Sequence, residues 1–313
     1  MTEKKEFKKR VFGAVIIKAI NSNYNADFSG QPRTLPDGKV YATDKALKYA
    51  IKNYIKDIYP NEKVFYFKRL KKDFIPFSLE EAYDTMFAEH KDTKNKMIMA
   101  SDILSCIDIR LFGATFAKKG KNNVALSIHG PAQINHGINI WKEGNIFSEQ
   151  IMSPFRNPDE KSAEKEATTL GRQSKLQEGH YLHHFSVNPK NLNDIVSLTE
   201  NDTNNLSVED INILKEALRK GATYYDSAAK AGTENELLIW VELKENSKLV
   251  LPNFSQLIKM KDDKENGLVV LDLSELKNIL SKYNNEIEKI EIFRNKTSIK
   301  LENSPESCKI YSL

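Results

Sequence analysis

Residues 10–20 read RVFGAVIIKAI, an almost unbroken apolar run rich in β-branched side chains. Runs of this kind belong to central strands rather than to strands with one wet face. A polar loop follows over residues 21–41, with Gly30, Pro32, Pro36 and the turn pair Asp37-Gly38. Thr43 is a good N-cap, and the spacing predicts a helix from there to about Ile58, before Pro60. Leu47, Ala50, Ile51, Tyr54, Ile55 and Ile58 recur at three- and four-residue intervals and make one apolar face. Lys45, Lys48, Lys52 and Lys56 make a row on the opposite face.

The remaining pattern is β-α, excursion, β, insertion, β-α-β. Residues 62–121 leave the core with a basic cluster (Lys68, Arg69, Lys71, Lys72) and helices near 78–90 and 101–117. A strand is expected at 124–129, then a long irregular insertion over 137–179 with an acidic patch at 159–166. The core resumes with a strand at 181–187, a helix at 207–220 stopped by Gly221, and a strand at 237–243. That order predicts an α+β fold: a split βαβ, ferredoxin-like (RRM-like) sheet with one face covered by two helices. Residues 246–313 add a strand (267–273), a helix (274–283) and a hairpin (287–301) as an α/β extension packed on the palm.

Charge is uneven along the chain. Residues 1–72 carry 17 basic and 7 acidic side chains, a net of +10, although the whole chain is only +4. Such a block is an electrostatic footprint for a polyanion, or else solvated surface lysine. The two cysteines, Cys106 and Cys308, stand in no metal-ligand spacing and fit a reducing, cytoplasmic setting. Neither a secretory leader nor a membrane-length apolar run is present in the sequence, so no membrane partner is expected.

A phosphodiester backbone needs cations at intervals and small polar groups at sugar and phosphate. The lysine row supplies the first; Asn21, Asn23, Asn25, Arg33 and Thr43 can supply the second. A plain solvated helix face is the alternative. His180, His183 and His184 invite a metal reading, but adjacent strand residues point to opposite faces and no carboxylate pair lies nearby, so no metal or other cofactor is expected. Asp27, Asp37 and Asp44 fit turn and capping roles better than catalysis. Arg110, in DIRLFG at 108–113, fits a structural contact within an apolar helix.

Five blocks carry a resemblance. They are the loop and helix of residues 21–55 (through Gln31-Pro32-Arg33 to TDKALKYAIKNYI), DIRLFGA at 108–114, SIHGPAQ at 127–133, Gly171-Arg172 with Lys175, and Asp226-Ser227-Ala228-Ala229. In this order they resemble the crRNA-binding backbone family of type I CRISPR Cascade complexes, closest to its type I-B branch, over residues of about 10 to 245. The resemblance implies a right-hand shape: an RRM-like palm (1–245) bearing a finger (62–121) and a thumb (137–179). It implies a non-catalytic subunit whose copies polymerise along one crRNA. Each thumb folds over its neighbour's RNA, and the spacer is left free to pair with target DNA. Implied partners are crRNA, target DNA through it, other copies of the chain, a large subunit and a subunit capping the crRNA 5′ end.

Carried over, the implied RNA-binding residues are Asn21, Asn23, Arg33, Lys45, Lys48, Lys52, Gln133, Met152, Arg172 and Lys175. Met152 resembles a wedge position, with core packing as its alternative. The family loop commonly reads Asn-Pro-Asn-Gly-Asp. Here residues 21–25 are Asn-Ser-Asn-Tyr-Asn, and Tyr24 becomes a candidate for stacking on a base. Two other functions compete: a target-RNA endonuclease of the related type III backbone kind using Asp27 or Asp37, and a stand-alone RRM-like RNA-binding module.

Overall fold

The computed structural model describes residues 5–118, 124–152, 170–199 and 204–313. The first half runs β1 (Val11–Ser22), β2 (Tyr41–Ala42), α1 (Asp44–Ile58), α2 (Leu79–Met86), α3 (Lys96–Leu104), α4 (Ile107–Phe112), β3 (Gly113–Lys118) and β4 (Val124–His129). Then come β5 (Ala132–Ile134), β6 (Gly137–Asn139), β7 (Ile146–Met152), β8 (Leu170–Val187), α5 (Asn193–Thr199), α6 (Val208–Tyr224) and β9 (Thr233–Leu243). The last part holds β10 (Lys259–Met260), β11 (Val269–Asp272), α7 (Ser274–Lys282), β12 (Ile287–Arg294), β13 (Ile299–Glu302) and β14 (Cys308–Ser312).

The fold is mixed α+β, built on one large sheet in the order β14-β12-β9-β1-β8-β6-β2, with β5 and β7 also paired to β8. β1 lies antiparallel to both β8 and β9. Val11, Val15 and Ile17 on one face pack with Leu47, Ile51, Leu214 and Leu218 of α1 and α6. Phe12, Ala14 and Ile16 on the other face pack with Phe254, Leu271, Leu276 and Ile299 of the C-terminal extension. Two covered faces explain why β1 does not alternate: a polar side chain on either side would lose water without gaining a partner.

Three expectations shift. The helix expected to stop at Gly221 runs on to Tyr224, because Gly221 is where α6 crosses α1: a Cβ there would stand 3.1 Å from the Ala50 carbonyl oxygen. The helix expected at 101–117 is instead α3, then α4, then β3. Gly113 makes the change of direction with φ 72°, and its would-be Cβ lies 2.1 Å from the Ile128 carbonyl oxygen. The hairpin expected at 287–301 does not form. β12 joins the large sheet beside β9, while β13 pairs in parallel with β11 in a separate sheet. The tail therefore both widens the main sheet and roofs its second face.

The strand expected at 181–187 is the base of a much longer one. β8 spans 18 residues; its last partner on β1 is Leu176, opposite Ser22, and beyond that it pairs only with β7. At about 3.3 Å per residue this two-stranded arm projects roughly 20 Å past the end of β1. The acidic patch expected at 159–166 lies outside the described residues.

The excursion is tied back by the DIRLFG block. Arg110, 3% exposed, makes two bonds to the Asp210 carboxylate (Nη2 2.7 Å, Nε 3.0 Å), with further bonds to the Leu104 and Ser105 carbonyls. Asp210 also closes the capping box of α6 with Ser207. Asp108 is buried too, accepting the backbone N–H of Phe65 and Tyr66 at 2.8 Å each. The Arg110–Asp210 pair fastens residues 62–118 to the main sheet's helical layer, while Asp108 ties two parts of that excursion to each other.

Candidate nucleic-acid interface

At the carboxyl end of β1 the chain enters the polar loop through Asn21, which is exposed and adopts a left-handed φ of 46°. The loop is held by its own amides. Asn23, only 2% exposed, donates from Nδ2 to the carbonyls of Gly30 and Ser174, both at 3.1 Å, and its backbone N–H bonds Ala229. Its role is to pin the loop against β8 and the 226–231 turn, which places its side chain away from any external strand. Tyr24, expected to stack on a base, is buried instead. It packs on Tyr181 at 5.1 Å, and its hydroxyl donates to His183 Nε2 at 3.4 Å. Asn25 accepts from both the backbone and the hydroxyl of Thr43, at 2.9 Å each, so it anchors the start of α1 while Thr43 caps nothing with its side chain. Asp27 accepts from Ser29 and Gln31, chiefly the Ser29 hydroxyl, which holds its carboxyl below the usual range.

What this scaffold presents is an open cleft of about 630 Å³ between the loop, the first turn of α1 and the turn after α6. Three cations meet there. Arg33 is held by a bond from Nε to the Ala26 carbonyl at 3.1 Å, with its guanidinium 5.9 Å from the Phe28 ring. Lys45 is exposed on the first turn of α1. Lys230 donates to the Tyr24 carbonyl and lies over the Tyr24 and Tyr225 rings, at 5.6 and 5.8 Å. Burial drops its ammonium to about 8. Tyr49 and Tyr225 pack at 5.1 Å along one wall, and Phe28 stands fully exposed at the rim. No carboxylate lines the cleft among the described residues. Phe28, Tyr49, Tyr225 and Lys230 were not singled out in the sequence. The block at 226–229, which abuts Tyr225 and Lys230, was the signal that could have found the last two.

The lysine row does not stand in line toward water. Lys48 pairs with Asp44 at 3.1 Å and lies 5.5 Å from the Phe112 ring. Lys52 donates to the Tyr66 carbonyl at 2.8 Å, and burial lowers its ammonium from the ordinary value. Lys56 pairs with Asp57 beside the Phe67 ring. Those three side chains are turned toward the excursion, which packs against this face of α1; Lys45 alone of the four belongs to the cleft. Gln133 is exposed on β5 and folds back onto the Gly130 carbonyl at 2.8 Å, close to Phe112. On the arm, Arg172 is exposed and Lys175 pairs with Glu149 at 3.2 Å. Three residues apart on one strand, they point to opposite faces. Met152 ends β7 opposite Leu170, and its side chain lies outside the described residues.

The histidines occupy three separate settings. His183 donates to the Asn135 carbonyl at 2.9 Å and is pushed down to about 4 by burial; His184 accepts the Phe254 N–H at 3.2 Å. His180 is fully buried between Glu236 at 2.5 Å and Glu178 at 3.2 Å. The carboxylates judged missing are therefore present in space, but they grip one ring. No group of three or more such side chains is placed to hold a metal among the described residues.

Fold and site together define a class: a mixed α+β chain whose long first loop, helix and distant turn enclose a cationic, aromatic-walled, acid-free cleft. The sequence matches the family described as CRISPR-associated protein Cas7 over residues 9–287, and the chain belongs to that family. The match reaches α7, further than the five blocks did, so part of the C-terminal extension is shared with the family. Among solved structures it is similar to a chain of a CRISPR RNA-guided surveillance complex at 12% identity, over 94% of this chain and 95% of that one, with a TM-score of 0.50. A chain of such a complex in its pre-nicking form gives 12% identity, 97% and 96% coverage and a TM-score of 0.54. No curated protein matches the sequence. No helix of the described residues is long and apolar enough to cross a membrane.

Proposed function

We propose that the chain is a non-catalytic backbone subunit of a type I-B Cascade complex, whose copies assemble along one crRNA and present its spacer for pairing with target DNA. On this reading β9-β1-β8-β6 with α1 and α6 is an RRM-like palm, and its antiparallel order and one helical face are what support it. Residues 62–121 are the finger, and the arm within 137–179 is the thumb. The similar solved chains belong to RNA-guided surveillance complexes, which favours a crRNA and further subunits as partners. Among those partners the reading names a large subunit and a subunit capping the crRNA 5′ end.

The observation that carries the reading is the cleft. Cations, rings and amides without a carboxylate suit a single-stranded backbone held for shape rather than sequence. The non-catalytic role is favoured by the engagement of Asp27, Asp37 and Asp44, each spent on a turn or an ion pair. The test is RNA retention during co-purification with the neighbouring subunits, followed by titration. Arg33→Ala with Lys45→Ala should lower the slope of log affinity against log salt by about 1.4, at roughly 0.7 per phosphate contact on a single strand. On longer RNA the native chain should give a ladder of stoichiometries that grows with length. Undiminished, ladder-forming binding by the double variant would remove the cleft from the reading. Regularly spaced cuts in complementary RNA with Mg²⁺, lost on Asp27→Ala, would replace it with an endonuclease.

A further inference from the structure

The opposite end of the central strands carries a second basic feature. β1 begins where β8 and β9 end: Val11 stands opposite Val187 and Glu242, and Leu243 bonds the Arg10 carbonyl at 2.9 Å. The steps along β1 from Val11 to Ser22, about 3.3 Å each between its 12 residues, set this end roughly 36 Å from the loop end. Here a hollow of about 400 Å³ is lined by Lys8, Arg10, Lys190, Lys244 and Lys248, with Asn188 among the polar groups between them, and by no carboxylate among the described residues. Two acids beside it are already engaged, since Glu6 pairs with Lys8 at 3.2 Å and Glu286 accepts from Ser247 at 2.6 Å, while Glu245, between Lys244 and Asn246, is exposed and does not line the hollow. Arg10, Lys190, Lys244 and Lys248 have no acidic partner among the described residues. Arg10 is held in place by the Phe12 ring, 4.8 Å from its guanidinium, and its Nε is buried without a hydrogen-bond partner.

We infer that this hollow is a second phosphodiester-binding site, taking a strand other than the one held at the cleft. Four like charges converging on one concavity repel each other, and an anion seated there removes that cost. A fixed guanidinium fork with ammonium and amide donors fits phosphate oxygens, and the hollow has room for a phosphate and its sugar. A carboxylate fits a guanidinium fork as well as a phosphate does, so competition rather than geometry separates an acidic peptide from a nucleic-acid strand here. The site is some 36 Å from the cleft by the spacing above, so one short oligonucleotide cannot fill both.

The full chain is first loaded with unlabelled guide RNA, then titrated with fluorescent 12-nucleotide RNA and DNA in parallel arms, followed by anisotropy. Lys190→Ala, Lys244→Ala and Lys248→Ala together alter exposed side chains and should weaken the second strand at least tenfold while leaving guide retention unchanged. The corresponding three Lys→Arg changes should restore it. The RNA and DNA arms identify which strand the site prefers. If the cleft holds no guide at all, the empty chain still discriminates: the three-alanine variant loses oligonucleotide binding that Arg33→Ala with Lys45→Ala keeps. Wild-type binding of the second strand by the three-alanine variant, or displacement of that strand by polyglutamate as readily as by unlabelled oligonucleotide, would overturn the inference.

Discussion

Lys230 shows how one side chain acquires a property its sequence position does not announce. In the run DSAAKAG the block at 226–229 points only to its neighbourhood, and nothing there announces a lowered ammonium. The fold draws it under the polar loop, against the Tyr24 carbonyl and two rings, and desolvation lowers its ammonium to about 8. The unfolded lysine keeps its proton to about 10.5, so between these values the unfolded state binds more protons and stability rises with pH. Strand binding runs the other way, because phosphate needs the charged form. Affinity should therefore fall as pH rises from about 7 to about 9, and Lys230→Arg should flatten that profile in an anisotropy titration at constant ionic strength. A profile identical in the two proteins would mean that Lys230 does not face the bound strand. The same kind of displacement explains Asn23 and Tyr24. Both look like surface residues of a polar loop, and both are buried because β8 and the 226–231 turn close over them.

At the scale of elements, α1 was legible because its signal is local: apolar spacing, a capping position and a proline after its end. The observed Asp44–Ile58 differs from expectation mainly in how its start is held, by Asn25 rather than by the Thr43 side chain. Its partner α6 was legible except for Gly221, read as a stop when it is a contact point. Glu216 locks the pair, accepting from Tyr54 at 2.7 Å, Tyr59 at 2.6 Å and Lys220 at 2.8 Å. A side chain larger than methyl at Gly221 meets the backbone of Ala50 and Ile51, which cannot rotate away. Gly221→Leu should cost about 1–3 kcal/mol in a urea titration, despite leucine's better helix propensity. A gain in stability would mean that the two helices can separate there at no cost. The long β8 arm escaped the sequence for a different reason. A two-stranded ribbon has no buried face over most of its length, so residues 170–180 show no apolar alternation to read.

Over the whole molecule, the sheet is covered twice, by α1 and α6 on one face and by the C-terminal extension on the other. The second layer leaves Phe12, Ala14, Ile16 and Ile239 dry, a face that would otherwise be a broad exposed apolar patch. It also removes this part of the sheet as a platform for stacked bases, and leaves nucleic acid to the ends of the strands. Shortening the chain after Asn246 should therefore give aggregated protein that binds a hydrophobic dye. Recovery of a soluble, cooperatively unfolding product would show that the extension is dispensable to the core.

Local sequence was enough to place the central strand, the amphipathic helices and, through five short blocks in order, the family. Those depend on neighbours within a few residues, where periodicity and turn chemistry are written directly. Tertiary structure alone decided which cations remain available. Lys48, Lys52 and Lys56 share a helical face with Lys45, yet the excursion returns to cover three of them and leaves the fourth to meet Arg33 and Lys230. A charge is free or spent according to what lies within a few ångströms of it, and here those partners are as near in sequence as Tyr66 is to Lys52 and as far as Tyr24 is from Lys230.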